Sequence, residues 1–413
     1  MSGKRPIWLS LRRNFLWTFL GNSIYSFSQW VILALLAKLG SPEFVGRYSL
    51  ALAIVSPIIL LTNLQLRGVQ ATDAKDLYKF GDYFGVRVCT STIAFLIVVI
   101  VSLPFHKNEE LFVVVLIVFF LKFVESISDV AHGLLQKNER MDKISISLIL
   151  KGCFSATSFG LLFWLTKNLI MSLLIIVIIF IIIILFYDFK NVRLITDVKP
   201  KFEIKTIIKI AKLSLPLGIV LMLGSLNTNI PRYFIEFYNN EETLGFFSAL
   251  AYLIVAGNTV INALGQSATP KLAKYYSEGN IIIFRMLVNR LMLTGLFVGF
   301  LGVIISYFFG EELLALLYRK EYASYNDVLI LNMIAATITY AGSFLGYALT
   351  AARAFMIQPI FGIVWVVFTT GFSYLLIPGM GIMGASYVLI LSSIVQFITK
   401  FLALYYMLYW KKG

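Results

Sequence analysis

The amino-acid sequence is divided into long apolar blocks that are separated by short polar segments. An α-helix needs about 20 mostly apolar residues to cross the roughly 30 Å hydrocarbon core of a bilayer. Because only 14% of the residues are charged and 59% are hydrophobic, the chain lacks the polar side chains that cover a water-facing surface. The alternating segments of about 10 residues that are typical of a membrane β-barrel do not occur. The sequence therefore predicts an all-α integral membrane protein.

The apolar blocks predict about twelve membrane-spanning helices, so that both termini lie on the same side of the membrane. Most of the Lys and Arg residues in the connecting segments fall on that side, and basic loops face the cytoplasm in multi-pass proteins. We therefore expect both termini to be cytoplasmic. The blocks lie near residues 14–37, 44–66, 84–105, 111–135, 144–166, 169–187, 207–235, 244–268, 286–309, 326–350, 357–377 and 382–409.

The formal net charge of +14 raises the question of a nucleic-acid partner. The basic residues are concentrated in the short segments between apolar blocks, a pattern typical of loops that face anionic lipid headgroups. We therefore expect membrane lipids, and no nucleic acid, as partners of these charges.

Two short sequence echoes predict that the chain is built from two matching halves. Glu43-Phe-Val-Gly-Arg-Tyr-Ser49 resembles Glu242-Thr-Leu-Gly-Phe-Phe-Ser248, and Gly68-Val-Gln-Ala-Thr72 resembles Gly265-Gln-Ser-Ala-Thr269. Each pair brackets the second helix of a half, and because each half has six helices, both halves enter the membrane from the same side. We predict an N-terminal six-helix lobe over residues 1–190, a basic cytoplasmic linker over 191–206 and a C-terminal six-helix lobe over 207–413, with a central cavity between the lobes.

The fourth apolar block carries four ionisable residues at helical spacing, which are Lys122, Glu125, Asp129 and His132. At 100° per residue they share one helix face, and charges inside a bilayer are costly unless they face a cavity or a partner. Lys122 is a candidate for holding an anionic group, and Glu125 and Asp129 are candidates for binding a coupling proton or sodium ion. The alternative is a network of pairs within the helix that only stabilises it.

Further cations and amides lie within the predicted helices. Lys151, Arg232 and Arg47 are candidates, with Lys122, for binding an anionic cargo, because ammonium and guanidinium groups hydrogen-bond phosphate oxygens. The alternative for such residues is snorkelling to the nearer membrane surface. Amides that suit either sugar contacts or hydrogen bonds between helices are Asn22, Gln29, Asn227, Asn258 and Asn262.

No motif of an enzyme is present. The sequence lacks a Walker Gly-Lys-Ser/Thr loop, a His-Glu-x-x-His pair and a Gly-x-Ser-x-Gly turn. Cys89 and Cys153, in separate apolar blocks, have no metal-like spacing and indicate no disulfide framework. We therefore expect neither catalysis nor a metal or cofactor site.

Three segments of the sequence resemble motifs of a known family. Leu39-Gly-Ser-Pro-Glu-Phe-Val-Gly-Arg-Tyr-Ser-Leu-Ala51 looks like the signature between the first two helices. Leu376-Ile-Pro-Gly-Met-Gly-Ile-Met-Gly-Ala-Ser386 is similar to the turn into the last helix, and Leu349-Thr-Ala-Ala-Arg353 with Gln358 fits the connection before it. Together they resemble the polysaccharide flippases of the multidrug/oligosaccharidyl-lipid/polysaccharide (MOP) exporter superfamily. These motifs are structural, so they identify the superfamily better than the cargo.

The resemblance implies a MATE-like fold and a flippase of the bacterial inner membrane. Its cargo would be an undecaprenyl-pyrophosphate-linked oligosaccharide, such as an O-antigen unit for lipopolysaccharide or a capsule unit, translocated by alternating access. A polysaccharide polymerase and chain-length machinery are then expected partners. Two alternatives stay open: a cation-coupled drug or metabolite antiporter of the same superfamily, and a non-transporting scaffold of a polysaccharide assembly complex.

Overall fold

The computed structural model describes residues 11–73, 75–105, 108–354 and 357–409. In these ranges the chain forms α-helices joined by short turns and contains no β-strand. The helices are α1 (Leu11–Leu39), α2 (Pro42–Asn63), α3 (Leu66–Thr72), α4 (Phe80–Ser102), α5 (Glu109–Lys137), α6 (Met141–Thr166), α7 (Leu169–Ile183), α8 (Phe189–Arg193), α9 (Ile204–Tyr238), α10 (Glu241–Ser277), α11 (Ile281–Leu317), α12 (Lys320–Ala323), α13 (Asn326–Ala351) and α14 (Gln358–Tyr409).

The prediction of an all-α membrane protein with about twelve spanning helices is confirmed. Within the described ranges, eleven helical segments are long and apolar enough to cross a bilayer. The last of them, α14, is broken at Gly381, where φ is 53° and ψ is −128°. Only glycine adopts this backbone conformation readily, so the break separates the predicted eleventh and twelfth helices at the position that the sequence indicates.

Asparagine residues fix the starts of four spanning helices. In each case the side-chain oxygen accepts a hydrogen bond from the backbone amide three residues later, which satisfies one of the unpaired donors at a helix N-terminus. The four asparagines are Asn108, Asn168, Asn240 and Asn280.

The chain divides into two compact units by its internal contacts. The first unit contains the described residues up to Leu33 together with Ile54–Met222, and the second contains Ala34–Ala53 together with the described residues from Leu223 onward. Helix α8 ends at Arg193 and α9 begins at Ile204, and the residues between them form a non-helical linker. The division into lobes at 1–190 and 207–413 stays a prediction.

In the first unit, the linker after α8 lies directly on α4. The Lys201 amide donates a hydrogen bond to the Gly81 carbonyl at 2.8 Å. A Cβ atom at Gly85 would lie only 1.8 Å from the Lys201 carbonyl oxygen. Glycine at this position therefore allows the linker backbone to approach the helix closely.

The turn between α3 and α4 is held by Asp73, which accepts backbone hydrogen bonds from Leu77 and Tyr78 at 3.1 Å each. Lys137 Nζ lies 3.9 Å from Asp73 and 2.6 Å from Asp76. Burial on its own raises the pKa of Asp73, but the two amides and the Lys137 ammonium outweigh it and hold the pKa below its ordinary value.

In the second unit, the first sequence echo corresponds to a symmetric crossing of two helix starts. A Cβ at Gly46 would lie 1.8 Å from the Glu241 carbonyl oxygen, and a Cβ at Gly245 would lie 1.8 Å from the Pro42 carbonyl oxygen. Gly46 and Gly245 occupy equivalent positions in the two echoed segments. Each glycine is thus required because the backbone of the partner segment occupies the space of a side chain.

Candidate functional site

The first unit encloses a cavity of about 700 Å³ whose wall is rich in ionisable side chains. Helices α1, α2, α5 and α6 contribute most of the lining, with additions from α3 and α9. The ionisable residues of the wall are Tyr25, Arg67, Lys122, Glu125, Asp129, His132 and Lys151. In a unit of membrane-spanning helices, such a cavity gives ionisable side chains a place away from lipid.

The face of α5 that the sequence singles out lines this cavity. Lys122, Glu125, Asp129 and His132 all belong to its wall. Lys122 Nζ lies 2.8 Å from Glu125 Oε2, one turn along the same helix, and Tyr25 of α1 donates to Glu125 Oε1 at 2.8 Å. About a quarter of the Lys122 side chain is exposed, so the pair remains open to the cavity.

Asp129 lies between two arginines. Its carboxylate oxygens are 3.6 Å from Arg67 Nη1 and 3.7 Å from Arg87 Nη2. Arg87 of α4 is completely buried, and it also donates to Asn63 Oδ1. Asp129 therefore interacts both with Arg67 in the cavity wall and with the buried guanidinium of Arg87, and its single charge cannot neutralise both.

A second, fully buried cluster centres on Asp188. Lys151 Nζ lies 2.9 Å from Asp188 Oδ2 and also donates to Ser128 Oγ, and Ser128 in turn donates to Asp188 at 2.5 Å. His132 Nε2 lies 3.6 Å from Asp188 Oδ1. The Lys151 ammonium is therefore held inside the protein by a carboxylate. The role of Lys151 as a ligand for an anionic cargo stays a prediction.

Asp188 is not among the predicted site residues, because it lies just after the sixth apolar block, which ends near residue 187. The structure continues the helix through a π-helical turn, Ile184–Asp188, and on to Arg193. The available signal was the mismatch of charges: Lys151 lies deep in an apolar block, and a buried cation requires a nearby anion.

The cavity wall and the buried cluster behind it carry a small positive excess. The ion pairs there join four cations of Arg and Lys to three carboxylates, which leaves one positive charge when His132 is neutral. Each cation already has a carboxylate partner. An anionic ligand would therefore compete with Glu125 or Asp129 for its contacts.

The remaining candidates of the first unit are amides on α1. Asn22 lies in the cavity wall beside the α5 face. Gln29 is half-buried on the same helix, two turns further along. The structure thus brings Asn22 together with Lys122, Glu125 and Asp129.

The other five candidate residues belong to the second unit. Arg47 Nε donates to Glu241 Oε2 at 2.5 Å, and Arg232 Nη1 donates to Asn229 Oδ1 at 2.8 Å. The guanidinium of Arg232 also lies 5.9 Å from the centre of the Tyr252 ring.

The three candidate amides of the second unit differ in burial. Asn227 is buried and accepts a hydrogen bond from Thr369 Oγ1 at 2.7 Å, so it joins two helices. Asn262 is exposed and accepts from Tyr347 at 3.2 Å, and Asn258 is half-buried on the same helix α10. No group of three or more metal-ligating side chains occurs in the part of the chain that the structure describes.

Comparison with protein families gives a match over most of the chain. Residues 11–276 match the family described as polysaccharide biosynthesis protein. A relative from Staphylococcus aureus, the capsular polysaccharide biosynthesis protein CapF, is 33% identical over 391 residues, which is 94% of this chain and 98% of that protein.

Solved structures share the fold at low sequence identity. A multidrug resistance MATE family transporter of the MOP superfamily, solved in an inward-facing conformation, matches with a TM-score of 0.76 and 14% identity over 95% of this chain and 98% of its own. A MOP superfamily transporter from Pyrococcus furiosus matches with a TM-score of 0.63 and 14% identity, over 95% and 94% of the two chains. The predicted MATE-like fold is confirmed.

Proposed function

This chain belongs to the polysaccharide biosynthesis protein family, and from that premise we propose that it is a flippase for a lipid-linked oligosaccharide. The cargo is a repeat unit of a surface polysaccharide, such as a capsule or O-antigen unit, attached through pyrophosphate to undecaprenol. The name of the Staphylococcus aureus relative favours a capsular unit. The protein lies in the bacterial inner membrane with both termini in the cytoplasm, and a polymerase and chain-length machinery are its proposed partners.

The observation that supports this proposal best is the ion-paired face of α5 on the wall of a cavity of about 700 Å³. The pyrophosphate carries negative charge into a compartment that already holds Lys122 and Arg67. Sugar hydroxyls can hydrogen-bond Asn22 and the acidic side chains. The lipid tail stays in the bilayer during alternating access of the two lobes.

Each cation of the cavity wall is paired with a carboxylate, and this pairing suggests how binding of the cargo is coupled to binding of a proton or sodium ion. A proton or sodium ion that binds Glu125 neutralises the partner of Lys122 and releases the ammonium for a phosphate oxygen. The same event at Asp129 releases Arg67, while Arg87 remains buried. Binding of the coupling ion and of the anionic headgroup would then favour each other, as linkage requires.

A matched pair of lysine substitutions tests the proposal. Lys122→Gln removes a cavity cation that has a carboxylate partner one turn away, at 2.8 Å. Lys274→Gln removes an exposed lysine whose partner Glu278 is also one turn away, at 3.8 Å. In cells that depend on this gene for surface polysaccharide, we expect Lys122→Gln to lower surface polysaccharide about tenfold or more, because a charge-assisted hydrogen bond contributes about 1.5–3 kcal/mol.

The control Lys274→Gln should leave the amount of surface polysaccharide unchanged at equal protein level in the membrane. Equal polysaccharide in both variants and wild type would contradict the role of the cavity. Efflux of cationic dyes with no effect on surface polysaccharide would instead support a drug antiporter. A scaffold would tolerate Lys122→Gln but fail when helix packing is disturbed.

A further inference from the structure

Two intramembrane cations of the second unit, unlike the cavity cations of the first, have no carboxylate partner among the described residues. In the first unit, each cation of the cavity wall forms an ion pair with a carboxylate. In the second unit, Arg232 and Lys400 lie within spanning helices, and no carboxylate among the described residues is within ion-pair distance of either. A positive charge without a counter-charge is costly inside a membrane, so such residues commonly serve a ligand.

Lys400 lies far from the ends of its helix. It is in the second part of α14, nine residues before the end at Tyr409, which corresponds to about 14 Å at 1.5 Å per residue. Its stem also lies beside α13, because a Cβ built at Gly346 would be 4.0 Å from Lys400 Cε. Both features oppose simple snorkelling of the ammonium to the nearer membrane surface.

The ammonium of Lys400 is placed over an aromatic ring. Its Nζ lies 4.9 Å from the centre of the Trp365 ring. The indole is fixed in turn, because Trp365 Nε1 donates to Thr399 Oγ1 at 2.9 Å. The ring attracts the cation, but it does not accept hydrogen bonds from the three N–H groups of the ammonium as oxygen atoms would. The ammonium is therefore positioned with its hydrogen-bonding capacity unused by any described residue.

We propose that Lys400 is an anion-binding residue of the second unit and that its ligand is the pyrophosphate of a polyprenyl-linked cargo. This inference rests on the proposed function. Because Lys400 has no carboxylate to displace, it binds the pyrophosphate without a coupling ion.

Trp365 provides a direct readout of this site. Its fluorescence depends on the charge next to the indole, and the chain contains six tryptophans, so Trp365→Phe assigns the signal. The purified full-length protein in detergent micelles is titrated with farnesyl pyrophosphate, a short-chain probe of the same headgroup chemistry. Farnesol, which has the same chain and no phosphate, is the control for partition of the probe into micelles.

We expect a saturable change in fluorescence with farnesyl pyrophosphate that is absent with farnesol and absent in Trp365→Phe. Lys400→Met and Lys400→Gln should raise the half-saturating concentration at least about tenfold, and Lys400→Arg should retain most of the binding. Melting curves identify a variant that fails to fold. Lys400→Met and Lys400→Gln are both neutral but differ in polarity, so that one can be used if the other does not fold. An unchanged half-saturating concentration in a folded neutral variant overturns the proposal, as does a wild-type protein whose Trp365 does not respond.

Failure of this inference can be told apart from failure of the proposed function. Translocation of lipid-linked oligosaccharide by wild-type protein, without any response of Trp365, would overturn the role of Lys400 and leave the flippase intact. A Lys400-dependent response in a protein that translocates no such lipid would support the anion site and contradict the flippase.

Discussion

Replacing Asp188 with asparagine keeps the size of the side chain but removes its negative charge. In the wild-type protein the carboxylate is completely buried and lies 2.9 Å from the Lys151 ammonium, which is itself only 2% exposed. Asp188→Asn therefore leaves a buried ammonium without a counter-charge. Breaking a buried ion pair in this way costs about 3–5 kcal/mol, because the remaining charge has lost its water and gained nothing in return.

The chain offers a matched control in Asp76, whose carboxylate lies 2.6 Å from Lys137 Nζ but is 83% exposed. Exposed ion pairs contribute about 0–1 kcal/mol, so Asp76→Asn should hardly change the free energy of unfolding. The assay is denaturant unfolding of the purified protein in detergent micelles, followed by circular dichroism. The double variant Asp188→Leu with Lys151→Met should recover most of the lost stability, because it removes both charges.

Two results would contradict the expected stabilisation of the Lys151 ammonium by Asp188. One is a free energy of unfolding for Asp188→Asn within about 1 kcal/mol of the wild-type value, equal to that of the exposed control. The other is a double variant that is no more stable than Asp188→Asn alone, since the two residues would then be energetically independent.

Two further predictions concern the rest of the fold. Gly46→Ala should lower the free energy of unfolding by about 1–3 kcal/mol, because the added methyl group meets the Glu241 carbonyl. The control Gly224→Ala should be neutral or stabilising, because a Cβ at Gly224 has no neighbouring atom within 4 Å. Equal effects of the two substitutions in the same unfolding assay would contradict the close crossing at Gly46. The pKa of Asp73 is lowered in the folded protein, so its contribution is present above the unfolded pKa and lost as the pH falls through the folded one. Asp73→Asn should therefore be less stable than wild type at neutral pH and equally stable in strong acid; a difference in stability that does not change with pH would contradict this.

The parts of the fold that depend on hydrophobicity follow directly from the sequence. Spanning helices are predicted because long apolar blocks have no other stable state in lipid, and the break at Gly381 is predicted because the blocks are separated there. The echo around Gly46 and Gly245 predicts two related segments. That these two glycines lie at the same crossing could not be predicted, since an echo specifies equivalence and not contact.

The site is predictable only where one helix carries it. The spacing of Lys122, Glu125 and Asp129 places them on one face, and the structure puts all three on one cavity wall. Their partners come from other helices, so Arg67 and Arg87 as the neighbours of Asp129 are not readable from spacing. Asp188 could not be predicted as a site residue because a π-helical turn, which has no clear sequence signal, continues the helix beyond the apolar block.

The proposed flippase function requires that the protein move a pyrophosphate-linked oligosaccharide lipid across a membrane. The most direct measurement uses vesicles that contain the purified protein and a fluorescent oligosaccharide attached to polyprenyl pyrophosphate, with an impermeant quencher added outside. If the protein is the proposed flippase, quenching first reaches the lipid of the outer leaflet and then proceeds to lipid that began in the inner leaflet. Lys122→Gln should slow this second phase. Quenching that stops at the outer-leaflet pool, as in vesicles without protein, would contradict the claim.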